Sequence, residues 1–187
     1  FSACGAKTAT DVMRVDALDA SAWEASKWIS VVDAPVVTGK TGDMENNRAA
    51  DGANWFVSTV KNEQKVVSAK WMTAGLGVYE IFVNGQLIGE EFLKPGYTHY
   101  AKTKRSFTYD VTAALQTDAG AENQLSAQVI PGWWADKIHT PHGYEGFLGK
   151  KCAFRGVLEL TYADGSKKLY GTDLENWKAV IAGPVTH

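Results

Sequence analysis

The sequence predicts an all-β protein, a single antiparallel β-sandwich of the jelly-roll type with short helical turns. At least eight short segments rich in β-branched and aromatic residues alternate with turn residues along most of the chain. Two of the turns, Asn84-Gly85 and Asp164-Gly165, are typical of tight hairpins because Asn, Asp and Gly tolerate a positive φ. No segment shows the apolar repeat of a long amphipathic helix, so the sandwich is the fold that the pattern favours.

The predicted elements follow one another in a simple order. A first apolar segment is bracketed by Trp23 and Trp28, ends at Val32 and is expected to form the first strand region. The predicted strands then cover residues 55–60, 65–74, 78–92 with its internal turn, 105–110, 124–130, 152–163, 167–173 and 176–183. Asp110 is a suitable N-cap for one helical turn that ends at Leu115, because its carboxylate can accept from the first amides of the turn.

Tryptophan is as frequent as tyrosine and phenylalanine, with seven of each. Trp55, Trp71 and Trp177 fall in predicted strands and are expected to belong to the core. Cys152 begins an apolar strand and is expected to be a buried, inert thiol. The two tryptophans of the connection 131–151 remain as candidates for ligand recognition.

Composition excludes several classes of protein. A chain of 187 residues suits one domain, and two cysteines are too few to staple a small secreted scaffold. The 19 Lys and Arg residues face 21 Asp and Glu residues, which leaves a formal net charge of −2. That balance lacks the basic surface on which nucleic-acid binding depends, so we expect no nucleic-acid partner. No run of 18 apolar residues is present to span a membrane.

The first five residues, Phe1-Ser2-Ala3-Cys4-Gly5, are typical of the end of a bacterial lipoprotein signal. This pattern predicts lipidation of Cys4, a bacterial periplasmic or cell-surface location, and membrane contact only through the lipid. Residues 1–20 are then a flexible tether, and residues 21–187 form the sandwich domain. The alternative is an ordinary flexible terminus that happens to contain a cysteine.

Six blocks of the sequence occur in a specific order and spacing. They are AGLGVYEIFVNGQLIG (74–89), LKPGYTHY (93–100), FTYDVTAAL (107–115), PGWW (131–134), YADGS (162–166) and TDLENWKA (172–179). Together they resemble the amino-terminal domain of bacterial α-L-rhamnosidases, which are enzymes of glycoside hydrolase family 78. The resemblance implies a galactose-binding-like jelly roll, in agreement with the fold class that the strand pattern predicts.

The resemblance also implies that catalysis takes place elsewhere, in a separate helical-barrel domain of the parent enzyme. Glycoside hydrolysis needs an acid and a second carboxylate, about 6.5–9.5 Å apart in inverting enzymes. The acidic residues here, such as Glu90-Glu91, are scattered on predicted turns and loops, and this pair is expected to be solvated. We therefore expect a non-catalytic carbohydrate-binding or accessory module that holds rhamnose-containing glycans for the catalytic domain. The alternative is a purely structural interdomain module with no ligand of its own.

The aromatic connection 131–151 has the residue types that sugar recognition uses. Aromatic faces stack on the C–H side of a sugar ring, while carboxylates and imidazoles bond its hydroxyl groups. The candidate carbohydrate-binding residues are Trp133, Trp134, Asp136, His139, His142 and Tyr144. If the chain is extended here, the adjacent tryptophans point in opposite directions, so at most one is expected to face a ligand and the other to anchor the loop. The alternative is a loop packed against its own domain or a neighbouring one.

A second candidate site is the glycine- and amide-rich stretch 38–54, which reads as a long loop. Its carboxylate and amide side chains are the hard oxygen ligands that calcium prefers. The candidate calcium ligands are Asp43, Glu45, Asn46, Asn47 and Asp51. The resemblance agrees with calcium, because related modules of carbohydrate-binding module family 67 bind rhamnose with its help. The alternative is a solvated polar loop.

Overall fold

The computed structural model describes residues 14–31, 54–135, 149 and 151–181, and these form two packed antiparallel sheets. The strands are β1 (Asn54–Lys61), β2 (Val66–Leu76), β3 (Val78–Val83), β4 (Gln86–Ile88), β5 (Ser106–Asp110), β6 (Glu122–Ile130), β7 (Ala153–Tyr162), β8 (Lys167–Gly171) and β9 (Lys178–Ile181). One sheet has the order β4-β3-β6-β1-β9 and the other the order β5-β2-β7-β8. The predicted all-β sandwich is confirmed.

The predicted Asn84-Gly85 turn is also confirmed by its backbone geometry. Asn84 and Gly85 have φ values of 50° and 79°, as a two-residue hairpin turn requires. The Asp110 carboxylate accepts from the Thr112 amide at 2.9 Å before a short 3₁₀ helix, Thr112–Ala114, but the N-cap position is Val111, so Asp110 lies one residue earlier than predicted. Further short helices are the 3₁₀ helix Ala20–Ala25 and the α-helical turn Gly132–Ala135. None of the helices in the described ranges is long and apolar enough to cross a membrane.

The core lies between the two sheets and is centred on Phe154. Its fully buried ring packs against Phe56, Trp71 and Tyr79, with ring centroids 6.1–6.3 Å apart. Trp177 covers the same ring at 5.8 Å from the side. Burial of so many large rings in one cluster supplies much of the driving force for packing the sheets together.

Two of the three tryptophans expected in the core are there, and one is not. Trp71 is fully buried and Trp177 is half-buried against the core, but Trp55 lies on the outer face of the five-stranded sheet. Its inward neighbour on β1 is Phe56, and its own ring contacts Phe82 of β3 at 5.8 Å. The prediction for Trp55 was wrong because both faces of β1 carry large apolar residues, so the alternation does not show which face is buried.

The segment before β1 contains no regular strand within residues 14–31. Trp23 lies in the 3₁₀ helix, and Ile29 makes an isolated bridge to Phe154, so the predicted first strand region is reduced to single contacts. Arg155 holds this segment to the sandwich: its guanidinium donates to Ser26 and lies 5.0 Å from the ring centroid of Trp23. Within the proposed tether, Arg14 already bridges to Tyr109 of β5.

One end of the sandwich collects the long connections, and we call it the loop end. It is defined by the start of β1 at Asn54, the link between β2 and β3 at Gly77, the end of β6 at Ile130 and the start of β7 at Ala153. The strand register brings these positions together, since Val129 pairs with Asn54 and Leu76 with Ala153. Gly77 has a φ of 124°, and a Cβ there would lie 2.4 Å from the Ile130 carbonyl oxygen. Only glycine fits this crossing without displacement.

Candidate functional site

Both loops that the sequence singles out leave from the loop end of the sandwich. The stretch 32–53 lies between Val31 and the start of β1, and the connection 131–151 lies between β6 and β7. The flanks of these two loops touch, because the Ser30 hydroxyl donates to the Cys152 carbonyl oxygen at 2.7 Å. Cys152 itself is buried, as the sequence predicts. The described flanks of the two predicted loops therefore lie side by side.

The connection 131–151 begins with a helical turn instead of the extended backbone expected for its tryptophan pair. The amides of Trp134 and Ala135 both donate to the Pro131 carbonyl oxygen at 3.2 Å. Gly132 enters this turn with a φ of 46°, and a Cβ there would lie 2.5 Å from the Val78 side chain. The turn therefore packs closely on the start of β3.

Trp134 anchors the connection at both of its ends. Its indole Nε1–H donates to the Lys151 carbonyl oxygen at 2.7 Å, and its ring meets Tyr100 edge-on at 5.2 Å. The backbone of Gly149 lies against the indole so closely that a Cβ at that position would be 1.9 Å from a ring carbon. The expectation that one of the two tryptophans anchors the loop thus applies to Trp134. Trp133, its neighbour, is half-buried.

The other predicted site residues lie outside the described residues. They are Asp136, His139, His142 and Tyr144 of the aromatic connection, Asp43, Glu45, Asn46, Asn47 and Asp51 of the proposed calcium loop, and Cys4 at the proposed lipidation position. In the ranges that the structure describes, no three His, Cys, Asp or Glu side chains are grouped as metal ligands would be. The calcium, glycan and lipid assignments therefore remain predictions.

A third loop at the same end, residues 89–105, was not predicted from the sequence to be a binding site. It is held rigidly by main-chain and side-chain bonds around Lys94, which is only 2% exposed. The Lys94 carbonyl oxygen accepts from the Tyr79 amide at 2.8 Å, and its ammonium donates to the Ile88 carbonyl oxygen at 2.9 Å. The ammonium also lies 5.1 Å from the ring centroid of Tyr109, within cation–π range. These contacts fix the backbone of the loop 89–105 against the loop end.

The rigid loop displays its apolar side chains to solvent. Phe92 is 94% exposed, Leu93 58% and Tyr97 61%. The Tyr97 ring contacts Tyr100 at 6.4 Å, and Tyr100 in turn contacts Trp134, so the three rings form a continuous series. In the sequence, the only sign of this surface was a group of apolar residues on either side of Lys94-Pro95. They follow no periodic pattern that would predict whether they are exposed.

Glu91 is an ionised residue of the same loop, and the expectation that it is simply solvated was wrong. It is half-buried, and its carboxylate accepts from the Tyr109 hydroxyl at 2.8 Å. Burial raises the pKa of the Glu91 carboxyl, but hydrogen bonds from the Tyr109 hydroxyl and the Glu91 main-chain amide, together with the charges of Lys94 and Arg14, lower it by more, so the net pKa lies below its ordinary value. Burial in turn lowers the pKa of the Lys94 ammonium. The neighbouring Glu90 is exposed, as predicted.

The described structure defines the class of protein: a β-sandwich domain that carries aromatic loops at one end. The sequence model of the family described as "Alpha-L-rhamnosidase N-terminal domain" matches residues 64–187. The chain belongs to this family.

Three relatives show how far the likeness extends. The chain is 35% identical over 169 residues to an alpha-L-rhamnosidase of Streptomyces avermitilis, covering 89% of this chain and 14% of that protein. It is similar to the crystal structure of Streptomyces avermitilis alpha-L-rhamnosidase complexed with L-rhamnose, with a TM-score of 0.66 and 32% identity over 75% of this chain and 13% of the other. The native Aspergillus terreus rhamnosidase shares the fold, with a TM-score of 0.75 and 24% identity over 90% of this chain and 18% of the other. The chain thus spans less than a fifth of the length of the curated relatives it matches.

Proposed function

We propose that this domain is a non-catalytic carbohydrate-binding module of an α-L-rhamnosidase. It holds rhamnose-containing glycans so that a separate catalytic domain of the same protein can hydrolyse them. The observation that carries the proposal is the convergence of three connections at the loop end: the stretch 32–53, the rigid loop 89–105 and the connection 131–151. Binding residues are commonly placed on loops that a rigid scaffold positions.

The chemistry of these loops supports a sugar as the ligand. Tyr97 is 61% exposed on a rigid backbone, and Trp133 is half-buried beside the anchored Trp134. Such rings offer apolar faces to the C–H side of a sugar. The carboxylate and imidazole side chains of Asp136, His139 and His142 supply acceptors and donors for hydroxyl groups. A relative of 32% identity was solved with L-rhamnose, which is why we name this sugar first.

We further propose that the calcium candidates of the stretch 32–53 bind a calcium ion next to the glycan. The support is the residue type, since carboxylate and amide oxygens suit calcium, and the position of the stretch between Val31 and Asn54 at the loop end. A bound cation at this end would order the loop and add to the apparent stability of the domain.

The same proposal places the protein in the bacterial periplasm or at the cell surface, tethered by lipid on Cys4. The lipoprotein-like pattern of residues 1–5 supports it. Mass spectrometry of the protein isolated from its native host tests the idea, because lipidation adds acyl chains to the peptide that contains Cys4. An unmodified Cys4 in that material would contradict the anchor.

Calorimetric titration with L-rhamnose, with and without EDTA, tests the glycan proposal. We expect saturable heat for the unaltered chain, at least tenfold weaker binding for Trp133→Ala, and weaker binding in EDTA. Val67→Ala is the control, because Val67 is 52% exposed near the start of β2, at the opposite end of the sandwich from the loop end. Absence of heat under both conditions would favour the alternative, a purely structural interdomain module.

A further inference from the structure

A cleft of about 730 Å³ runs along one long edge of the sandwich, and its lining residues lie outside the loop end. Its walls are the second half of β1, including Ser58 and Asn62, and the edge strand β8. Leu125 and Trp177 also line it. This volume is within the range of small-molecule binding sites.

The cleft exists because the two sheets end at different places along this edge. Strand β9 pairs only with residues 54–57 of β1, so residues 58–61, which pair with β6 on one side, have no strand on the β9 side in the part of the chain that the structure describes. Strand β8 is the last strand of the opposite sheet, as far as the described residues show. The gap between the sheets is therefore open at this point.

A hydrogen bond and an ion pair connect the two walls of the cleft, and a further hydrogen bond stabilises one of them. The Tyr170 hydroxyl of β8 donates to the Lys61 carbonyl oxygen of β1 at 3.2 Å, and Lys168 pairs with Glu63 across the same gap. The Trp177 indole donates to the Gly171 carbonyl oxygen at 3.3 Å. The cleft is thus preformed, and little ordering is needed before a ligand binds.

The lining combines aromatic rings with polar groups whose charges balance. Trp177 and Tyr170 are both half-buried, so each keeps part of its ring accessible. Two positive side chains, Lys61 and Lys168, are matched by Glu63 and Asp173. A lining without net charge offers no advantage to a phosphate or a polyanion, and it suits a neutral, hydroxylated ligand.

The polar rim of the cleft is oriented by the Asp173 carboxylate. It accepts from the Asn176 main-chain amide at 2.6 Å and from the Asn176 side-chain amide at 2.8 Å. Burial raises the pKa of the Asp173 carboxyl, and the hydrogen bonds from Asn176 and Glu175 lower it by more, so the group stays ionised at neutral pH. The Asn176 amide is therefore held at the rim in one orientation.

We propose that this cleft is a second carbohydrate subsite, which takes a neutral sugar unit between Trp177 and Tyr170. The choice of a sugar rests on the proposed function of the domain, while the existence of the cleft does not. A peptide that adds a strand here fits less well, because the Tyr170 and Lys168 bridges already cross the gap.

Nitrogen-15 NMR of the chain, titrated with L-rhamnose and with a rhamnose-containing disaccharide, tests the proposal. We expect saturable shifts of the Trp177 indole and Asn176 side-chain signals, and about fivefold weaker binding at this site for Asn176→Ala. Leu174→Ala is the matched control: Leu174 is 78% exposed in the same turn but does not line the cleft, so binding should be unchanged.

The pattern of shifting signals separates the two proposals. Shifts confined to Tyr97 and Trp133 would overturn the cleft subsite and leave the loop-end site standing. Shifts confined to Trp177 and Asn176 would support the cleft and contradict the loop-end site. If neither sugar moves either set of signals, both proposals are wrong.

Discussion

The indole Nε1–H of Trp134 donates to the main-chain oxygen of Lys151 at 2.7 Å, which ties the first turn of the aromatic connection to its last residues. Gly149 lies directly against the same ring. Two adjacent tryptophans consequently have different roles: Trp134 is part of the scaffold, and Trp133 is left as the recognition candidate. A loop closed in this way presents its remaining side chains from a fixed base.

Gly149→Ala should destabilise the domain through a collision with Trp134. The new Cβ would lie 1.9 Å from a ring carbon, so the indole or the backbone must move. We expect the free energy of unfolding in urea to fall by about 1–3 kcal/mol. In a Trp134→Ala background the same change should cost much less, because the colliding ring is gone. Equal costs in the two backgrounds would contradict the contact.

Trp134→Phe should lower both stability and glycan affinity, since it removes the donor to Lys151. The loss of one part-buried hydrogen bond predicts about 1 kcal/mol less free energy of unfolding. Trp133→Phe is the neighbouring control, and we expect a change of less than about 0.5 kcal/mol. Urea denaturation of both variants measures the difference, and equal stabilities would show that Trp134 is not the anchor.

Phe154→Ala should be among the most destabilising single changes, because four other rings pack on this side chain. A large buried aromatic replaced by alanine predicts a loss of about 3–5 kcal/mol. Trp55→Ala, on the outer face, should cost less than half as much although it removes a larger side chain. Thermal and urea unfolding of the two variants compare the costs. A larger loss of stability for Trp55→Ala than for Phe154→Ala would contradict the assignment of the core to the Phe56 face of β1.

The fold could be predicted from sequence where the local signal was strong. The Asn84-Gly85 hairpin depends on the backbone preferences of two neighbouring residues and is present, while the helical turn predicted after Asp110 is present with Val111 in the N-cap position. Which face of a strand is buried depends on the elements that pack against it. In β1, Trp55 and Phe56 are equally suited to a core, and only the distant contacts of Phe56 with Phe154 decide between them.

The sequence predicts candidate binding loops but not how the ends of these loops are arranged in space. Composition singled out the stretch 38–54 and the connection 131–151, but their adjacency follows from long-range contacts such as Ser30 with Cys152. Tyr97 was not predicted as a binding residue, although it is 61% exposed only three residues after the buried Lys94. A buried lysine is an arrangement that sequence patterns do not indicate.

The calcium proposal predicts that the stretch 38–54 contributes to stability only when the metal is present. Removing calcium with EDTA should lower the melting temperature of the unaltered chain, and calcium added in excess should restore it. The double variant Asp43→Asn, Asp51→Asn should melt at the same temperature with and without EDTA. Differential scanning fluorimetry measures both effects, with magnesium as the control cation. A melting temperature of the unaltered chain that ignores EDTA would contradict calcium binding.

Acid should weaken the domain partly through Glu91. Its pKa in the folded protein lies below the ordinary value of 4.5, because hydrogen bonds from Tyr109 and the Glu91 main-chain amide, with the charges of Lys94 and Arg14, outweigh the effect of burial. The unfolded state therefore binds the proton more readily. The stability from the ionised carboxylate is complete above the ordinary pKa, and it disappears as the pH falls through the lower, folded pKa.

Glu91→Gln should accordingly make the free energy of unfolding less dependent on pH between about pH 5 and pH 3. Some slope should remain, since Asp19 and Asp164 also have lowered pKa values, caused by hydrogen bonds from serine side chains and amides. Glu90→Gln is the matched control on the adjacent, exposed residue, and its slope should equal that of the unaltered chain. Urea denaturation at several pH values measures the slopes. If Glu91→Gln and Glu90→Gln have the same slope, the bond between Glu91 and Tyr109 contributes nothing to the acid sensitivity of the fold.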